Sequence, residues 1–226
     1  MQPTLAPLRC ASALRAGLRP AADGGRWTAQ HRPTAIGPLQ PVTNPAYFPV
    51  VASIDVSMIT AEYCQTFARY NAWMNERLYD VCASVSDEER KKDRGAFFGS
   101  IHRTLNHILY GDLAFMSRFT GDPPEVPELG IDLHSDFQEL RLARTALDRR
   151  ISEWSATLES DWLEQELTYT SKVDGISRTV PQWVLVAHMF NHETHHRGQV
   201  TTLLSQIGLD VGTTDLPFMP RFQAGP

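Results

Sequence analysis

Cysteine is scarce in this chain of 226 residues, long apolar runs are absent, and lysine is missing from its first quarter. Each gap excludes something. Three cysteines build no disulfide framework. Cys64 and Cys82 fall on one predicted helix, where 18 residues at about 1.5 Å each hold them roughly 27 Å apart, far beyond the roughly 7 Å between Cα atoms that a disulfide tolerates. They read as small buried hydrophobes of a reducing compartment. No apolar stretch approaches the roughly 18 residues that cross a bilayer, so a membrane-spanning reading fails. Residues 1–57 hold five Arg, no Lys and two Asp, which leaves 16 basic and 24 acidic residues for the rest of the chain. A body this acidic argues against nucleic acid as its main partner.

The same first 57 residues carry eight of the fifteen prolines and no sustained helical or strand period. Such a segment does not build a core of its own. The expected division is therefore 1–57 as a disordered or mis-called extension and 58–226 as the folded body. The opening "LRCASALRAGLRPAADGGRW", rich in Arg and Ala and poor in acids, also fits an organelle transit peptide. Against it, helical patterning begins abruptly at Met58-Ile59-Thr60, with Thr60 placed to cap a helix. A start at Met58 is the preferred reading, and with it a cytoplasmic location; organelle targeting is the alternative.

From Met58 onward the sequence reads as four amphipathic helices. Residues 60–84 place Tyr63, Phe67, Tyr70, Met74, Leu78 and Val81 on one face. The polar "SDEERKKDRG" reads as a connector. A second helix is expected over 96–119, with Phe98, Ile101, Leu105, Ile108, Phe115 and Phe119 in its stripe. After the proline-rich "TGDPPEVPELG" a third is expected over 135–158. The segment "LTYTSKVDGISRTV" holds two short alternating runs about Asp174-Gly175, a hairpin signal. Pro181 is placed to open a fourth helix that ends near Ile207, before Gly208. The fold class is all-α, a four-helix bundle with a short β-hairpin between the third and fourth helices. The tail from Leu209 has no helical period and is expected over the bundle surface. Trp73, Trp154 and Trp183 exceed what one small core needs, which points to a homodimer.

The fourth helix contains "NHETHHRGQ", and in it His-Glu-x-x-His, the pattern of zinc proteases. At about 100° per residue, His192 and His196 lie one turn apart on the core-facing side, with Met189, Val200 and Leu203 around them. His195 turns toward solvent or an edge, and His188 sits at the margin. Two imidazoles on a core face need partners, either hydrogen bonds or a divalent metal. The second helix offers His102 and His107 as a third ligand. His102 falls in the apolar arc, whereas His107 lies beside the small residues Ser100, Thr104 and Gly111, a stripe that can open a polar cavity. Spacing alone favours His107 and leaves the choice open. The protease reading fails on its remaining parts: no Glu follows Glu193, and Gly198 and the absence of later His break the extended zinc-protease patterns.

The segments "SIHRTLNHILYGD" and, about 85 residues later, "HMFNHETHHRGQVTTLLSQIGL" together resemble the DinB (damage-inducible) family of metal-binding four-helix bundles. "MITAEYCQTFARYNAWMNERLYD" is similar to that family's first helix, and the likeness covers about 58–220. It implies a divalent metal (Zn, Ni or Fe) on three histidines: His107, five positions before Asp112, and the pair His192 and His196. It further implies that Asp112 is a partner for a neighbouring helix, that Glu193 is an ordinary helix residue, and that His195 is a surface group. Three histidines leave coordination positions open, as catalytic sites do. Relatives of the fold include transferases and isomerases that use a low-molecular-weight thiol such as glutathione, mycothiol or bacillithiol. The leading expectation is such an enzyme acting on a small-molecule substrate. The alternatives are a metal-dependent hydrolase using metal-bound water, with Glu193 as base, and a non-catalytic, stress-related metal-binding protein.

Overall fold

The computed structural model describes residues 58–122, 130–171 and 175–223. The extension 1–57, with its two readings, and Cys10 lie outside the described residues. Four long helices carry the body: α1 (Ala61–Ala83), α3 (Ile101–Thr120), α4 (Phe137–Ala156) and α6 (Gln182–Gln206). Each packs against two neighbours, in the cyclic order α1, α4, α3, α6. The apolar stripes meet along the axis, where Met74, Leu105, Leu140, Ile151, Met189 and Val200 are almost wholly buried. Cys64 and Cys82 are buried and free, and burial pushes both thiols up to about 12, so neither is a ready nucleophile. Among the described residues no helix is long and apolar enough to cross a membrane.

Side-chain caps fix the helix starts. Thr60 Oγ1 accepts from the Tyr63 amide at 3.1 Å, Ser100 Oγ from Arg103 at 3.2 Å, and Asp136 Oδ1 from Gln138 and Glu139 at 2.8 and 2.9 Å. The second long helix therefore begins at Ile101 and not at Ala96. Gly95 and Gly99, at φ 66° and 80°, bend residues 95–99 into a tight turn that no helix includes. That turn frees Phe98 from the helical stripe and lets it reach the site. The polar connector contains a short helix, α2 (Asp87–Lys91), opened by Ser86, whose Oγ accepts from the Glu89 amide at 3.2 Å. A second short helix, α5 (Ser160–Glu164), buries Leu163 below α6.

The expected hairpin is present as β1 (Glu166–Thr170) and β2 (Ser177–Pro181), antiparallel, with Thr170 opposite Ser177. Its register does not centre on Asp174-Gly175, because a two-residue turn there would pair residue 173 with 176. The amide of Ser171 instead donates to the Ile176 carbonyl at 3.0 Å, so the loop is longer, and Gly175 supplies its φ of 70°. Residues 172–174 lie outside the described set. The tail crosses α1 as expected. Arg77 donates to the carbonyls of Thr213 and Val211 at 2.6 and 2.7 Å, and Tyr70 Oη donates to Thr214 at 2.5 Å. Contrary to the patternless reading, the tail forms a 3-10 turn (Leu216–Phe218) and a short helix, α7 (Pro220–Gln223). Trp154 stacks on Phe119 with ring centroids 5.1 Å apart and meets Trp162 edge-on, so part of the aromatic surplus is used within the chain.

Candidate metal centre

Helix α6 presents His192 and His196 one turn apart toward α3, which brings His107 to meet them. Nε2 of His107 and Nε2 of His192 are 3.0 Å apart. One nitrogen from each of the three rings lies within 4.8 Å of those of the other two. Ligand nitrogens at about 2.0–2.1 Å from a common ion stand roughly 3.0–3.4 Å from each other, so the His107–His192 separation already suits one and the widest separation has to close by up to about 1.4 Å. Their protonation state suits the task. Burial, reinforced by the neighbouring imidazoles, holds His107 down to about 4 and His192 down to about 3, and lowers His196 as well. All three are neutral donors at neutral pH. The chemistry and spacing of these residues fit a divalent metal.

The approach of α6 to α3 depends on Gly111. A Cβ added there would stand 2.7 Å from Cε1 and 3.1 Å from Nδ1 of His192. The small-residue stripe read from the sequence thus admits a ring, at Gly111 in particular. Phe98 stacks on His107 with centroids 3.9 Å apart and meets His196 edge-on at 5.4 Å, sealing one flank of the cluster. His196 is oriented by Gln199: its Nδ1 donates to the Gln199 carbonyl oxygen at 2.9 Å, which leaves Nε2 as the free lone pair. Gln199 Nε2 in turn donates to Nε2 of His195 at 3.2 Å. His195 is exposed, as expected, and its ring meets Gln199 and, edge-on, His196. His102 is buried and donates from Nε2 to the His134 carbonyl at 2.9 Å. It ties down the segment before α4 and is not part of the cluster.

Glu193 is not an ordinary helix residue. It is completely buried and accepts from Arg197 Nη1 at 2.5 Å and from Asn75 Nδ2 at 3.4 Å. Arg197 also reaches Asn71 Oδ1 at 2.7 Å. Beside them Asp112 accepts from Arg144 at 2.5 Å, and Arg144 pairs with Asp148 at 2.7 Å. The result is one buried network with members on all four long helices. It holds three carboxyl groups and two guanidiniums, so one proton makes it neutral. Burial, and then the facing Glu193 carboxylate, raise Asp112 well above the usual carboxylate range. Burial likewise pushes Asp148 up to about 6. Asp112 Oδ1 and Glu193 Oε1 are the two oxygens of this network that would lack a donor if every acid were ionised. The raised affinity of Asp112 for a proton beside Glu193 accounts for both, since one proton shared between these two oxygens satisfies them. The expectation that Asp112 partners a neighbouring helix holds, with Arg144 of α4 as that partner. Turned into this network, Glu193 is out of reach of anything entering from solvent, and the zinc-protease role for it ends here.

A cavity of about 370 Å³ opens beside His107 and His192, between α3, α6 and the hairpin. Ala114, Phe115, Val184 and Leu185 form its apolar wall, and Arg118, His188 and Tyr169 stand at its far end. Sequence reasoning missed Phe98, Gln199, the asparagines of α1, the Arg144–Asp148 pair and Arg118. The Glu193–Arg197 pair was legible as opposite charges at i,i+4; the others depend on tertiary placement.

A model of the DinB family matches residues 58–225. The chain is 26% identical over 150 residues to protein DinB of Bacillus subtilis (strain 168), an alignment covering 65% of this chain and 87% of that one. It is also similar to a DinB-like protein of Bacillus cereus ATCC 10987, with 19% identity, a TM-score of 0.48, and coverage of 62% of this chain and 90% of the other. With three quarters of its length matched by the family model, the chain belongs to the DinB family.

Proposed function

We propose that this protein is a metal-dependent enzyme in which His107, His192 and His196 hold one divalent ion and a small electrophile is processed with a low-molecular-weight thiol. The observation that carries the proposal is the convergence of three neutral imidazoles, two of which, His107 and His192, form part of the wall of an open, mostly apolar cavity. A divalent ion in that position supplies Lewis acidity and favours the thiolate form of a bound thiol. The chain's own part is orientation and exclusion. Gln199 fixes His196, Gly111 admits His192, Phe98 covers His107, and the apolar wall limits water around the reacting groups.

Two alternatives are weaker on specific grounds. Hydrolysis with Glu193 as general base lacks its base, because that carboxylate is buried and paired with Arg197. A metal serving mainly to stabilise the bundle is disfavoured because the polar network and the apolar core already join all four helices without it.

The test combines metal analysis with activity. Purified protein is expected to hold close to one divalent ion per chain, and His196→Ala to lose it. The metal-replete protein is then offered glutathione, mycothiol and bacillithiol with a generic electrophile. Consumption of electrophile that needs both a thiol and His196 supports the proposal. Absence of metal overturns the site, and metal without thiol-dependent turnover overturns the reaction class.

A further inference from the structure

Arg118 stands at the end of the cavity away from His107 and is half-buried. Its guanidinium lies over the rings of Phe115 and Tyr169, 5.2 and 5.1 Å from their centroids. It forms no hydrogen bond or ion pair with any described residue. The more deeply buried arginines differ: Arg144 is held by Asp112 and Asp148, and Arg197 by Glu193 and Asn71. A guanidinium has five N–H donors in a planar fork and stays charged at any ordinary pH. Half-buried among aromatic rings, and with no counter-charge among the described residues, it has donors free to take an incoming anion.

We propose that the cavity is a binding site for small organic carboxylates, in which Arg118 takes the carboxylate and the apolar body extends along Phe115 toward the three histidines. The planar fork matches a carboxylate edge to edge, and the flanking rings suit a flat or short-chain apolar body. The dimensions agree. The His192 ring lies against Gly111, and the Arg118 guanidinium over Phe115, one turn further along α3. The Phe115 ring stands 6.3 Å from that of His192 and 5.2 Å from the Arg118 guanidinium, so it bridges the two ends, and a small aromatic or short-chain acid lying along it reaches from one toward the other. A cavity of about 370 Å³ has room for such a molecule. His188, on the neighbouring turn of α6 from His192, borders the same end, with its ring 5.3 Å from that of Phe115. The proposal names the substrate class for the metal-dependent reading above and rests on that reading only for the reacting end; anion binding at Arg118 stands apart from it.

Titration calorimetry on the full chain with benzoate, benzamide and inorganic phosphate tests the assignment. Wild-type protein is expected to bind benzoate at least about tenfold more tightly than benzamide, the usual effect of a charge-assisted hydrogen-bonded pair, and to bind phosphate weakly for want of the apolar wall. Arg118→Met is expected to erase the preference for benzoate while keeping the wild-type metal content. Arg118→Lys, which keeps the charge but not the fork, is expected to retain part of it and covers the case in which the Met variant does not fold. His196→Ala is expected to keep the preference. Equal binding of benzoate and benzamide, or no binding of benzoate, overturns the proposal. So does a benzoate affinity that is lost in His196→Ala and unchanged in Arg118→Met, because the carboxylate would then sit on the metal. If wild-type protein holds no metal and still prefers benzoate through Arg118, the metal-dependent reading fails and this one survives.

Discussion

Two glycines lie inside the helices that form the site, and they should behave in opposite ways when changed to alanine. Gly198, on α6, has nothing within 4 Å of an added Cβ, whereas at Gly111 the same atom would stand 2.7 Å from Cε1 of His192. Either change favours the helix by about 1 kcal/mol, because glycine is the poorer helix former. For a domain of this size that corresponds to a rise in Tm of about 2–4 °C. At Gly111 the gain has a cost. Carbon atoms rest at about 3.5 Å or more, so the ring must retreat by roughly 0.8 Å, several times the ±0.2 Å within which metal–ligand distances hold. We expect Gly111→Ala to weaken metal binding by at least about 10- to 100-fold. Each tenfold removes about 1.4 kcal/mol of metal-derived stabilisation under saturating metal. Chelator competition measures the affinity, and melting curves with and without metal measure the stabilisation. Gly198→Ala should melt higher in both states with unchanged affinity. Gly111→Ala should lose most of the metal-induced shift while its metal-free form stays folded. Wild-type metal affinity in Gly111→Ala would refute the site as described.

Glu193→Ala is expected to cost about 3–5 kcal/mol in urea denaturation, because it strands the buried Arg197 guanidinium. Asp112→Asn should cost less, about 1–2 kcal/mol, since burial and Glu193 already disfavour the charged form of that carboxyl; the reverse ordering would contradict that account. The metal-free protein should show a pH dependence traceable to His192, whose folded value of about 3 lies below the ordinary value of about 6.5. The unfolded chain takes up this proton as pH falls through about 6.5, while the folded chain refuses it until about 3. The stability contribution is therefore whole above about 6.5 and drains away toward 3. Relative to wild type, metal-free His192→Gln should gain up to about 1 kcal/mol per pH unit across that window, allowing for the partial exposure of the ring. Urea midpoints from pH 7 to 4 that run parallel for the two proteins would sink this account.

The long helices were legible because each buries a stripe repeating every three to four residues, and caps such as Thr60 and Ser86 are written locally. The start of α3 was not. The apolar spacing of Phe98 continues the stripe of Ile101 and Leu105, and only the left-handed Gly95 and Gly99 reveal that the chain has turned. The hairpin was legible from alternation, but its register was not. Asp174-Gly175 is compatible with a two-residue turn, whereas the pairing of Thr170 with Ser177 requires a longer loop. In the site, His192 and His196 followed from helical spacing, while the choice of His107 over His102 needed either the family likeness or the tertiary structure. His102 is more buried than His107, so burial alone favours the histidine that lies outside the cluster. What separates them is direction. His102 meets the backbone carbonyl of His134, and His107 meets the rings of α6.

The segment His192-Glu193-Thr194-His195-His196-Arg197 carries two i,i+4 pairs one residue out of phase. On a helix one residue is about 100°, so the pairs His192/His196 and Glu193/Arg197 face different neighbours. The histidines face α3, where Gly111 lets them close on His107. The Glu193–Arg197 pair faces α1 and, through Asp112, the Arg144 of α4. A single slip or rotation of α6 would unseat both pairs together, leaving buried charges unpaired on one side and misplacing two rings on the other. The network therefore fixes the rotation of α6 and, with it, the aim of the histidines. A carboxylate beside a metal-binding histidine usually invites a chemical role. In this helix its role is to hold the register, and the side of α6 that faces α3 is left to the histidines.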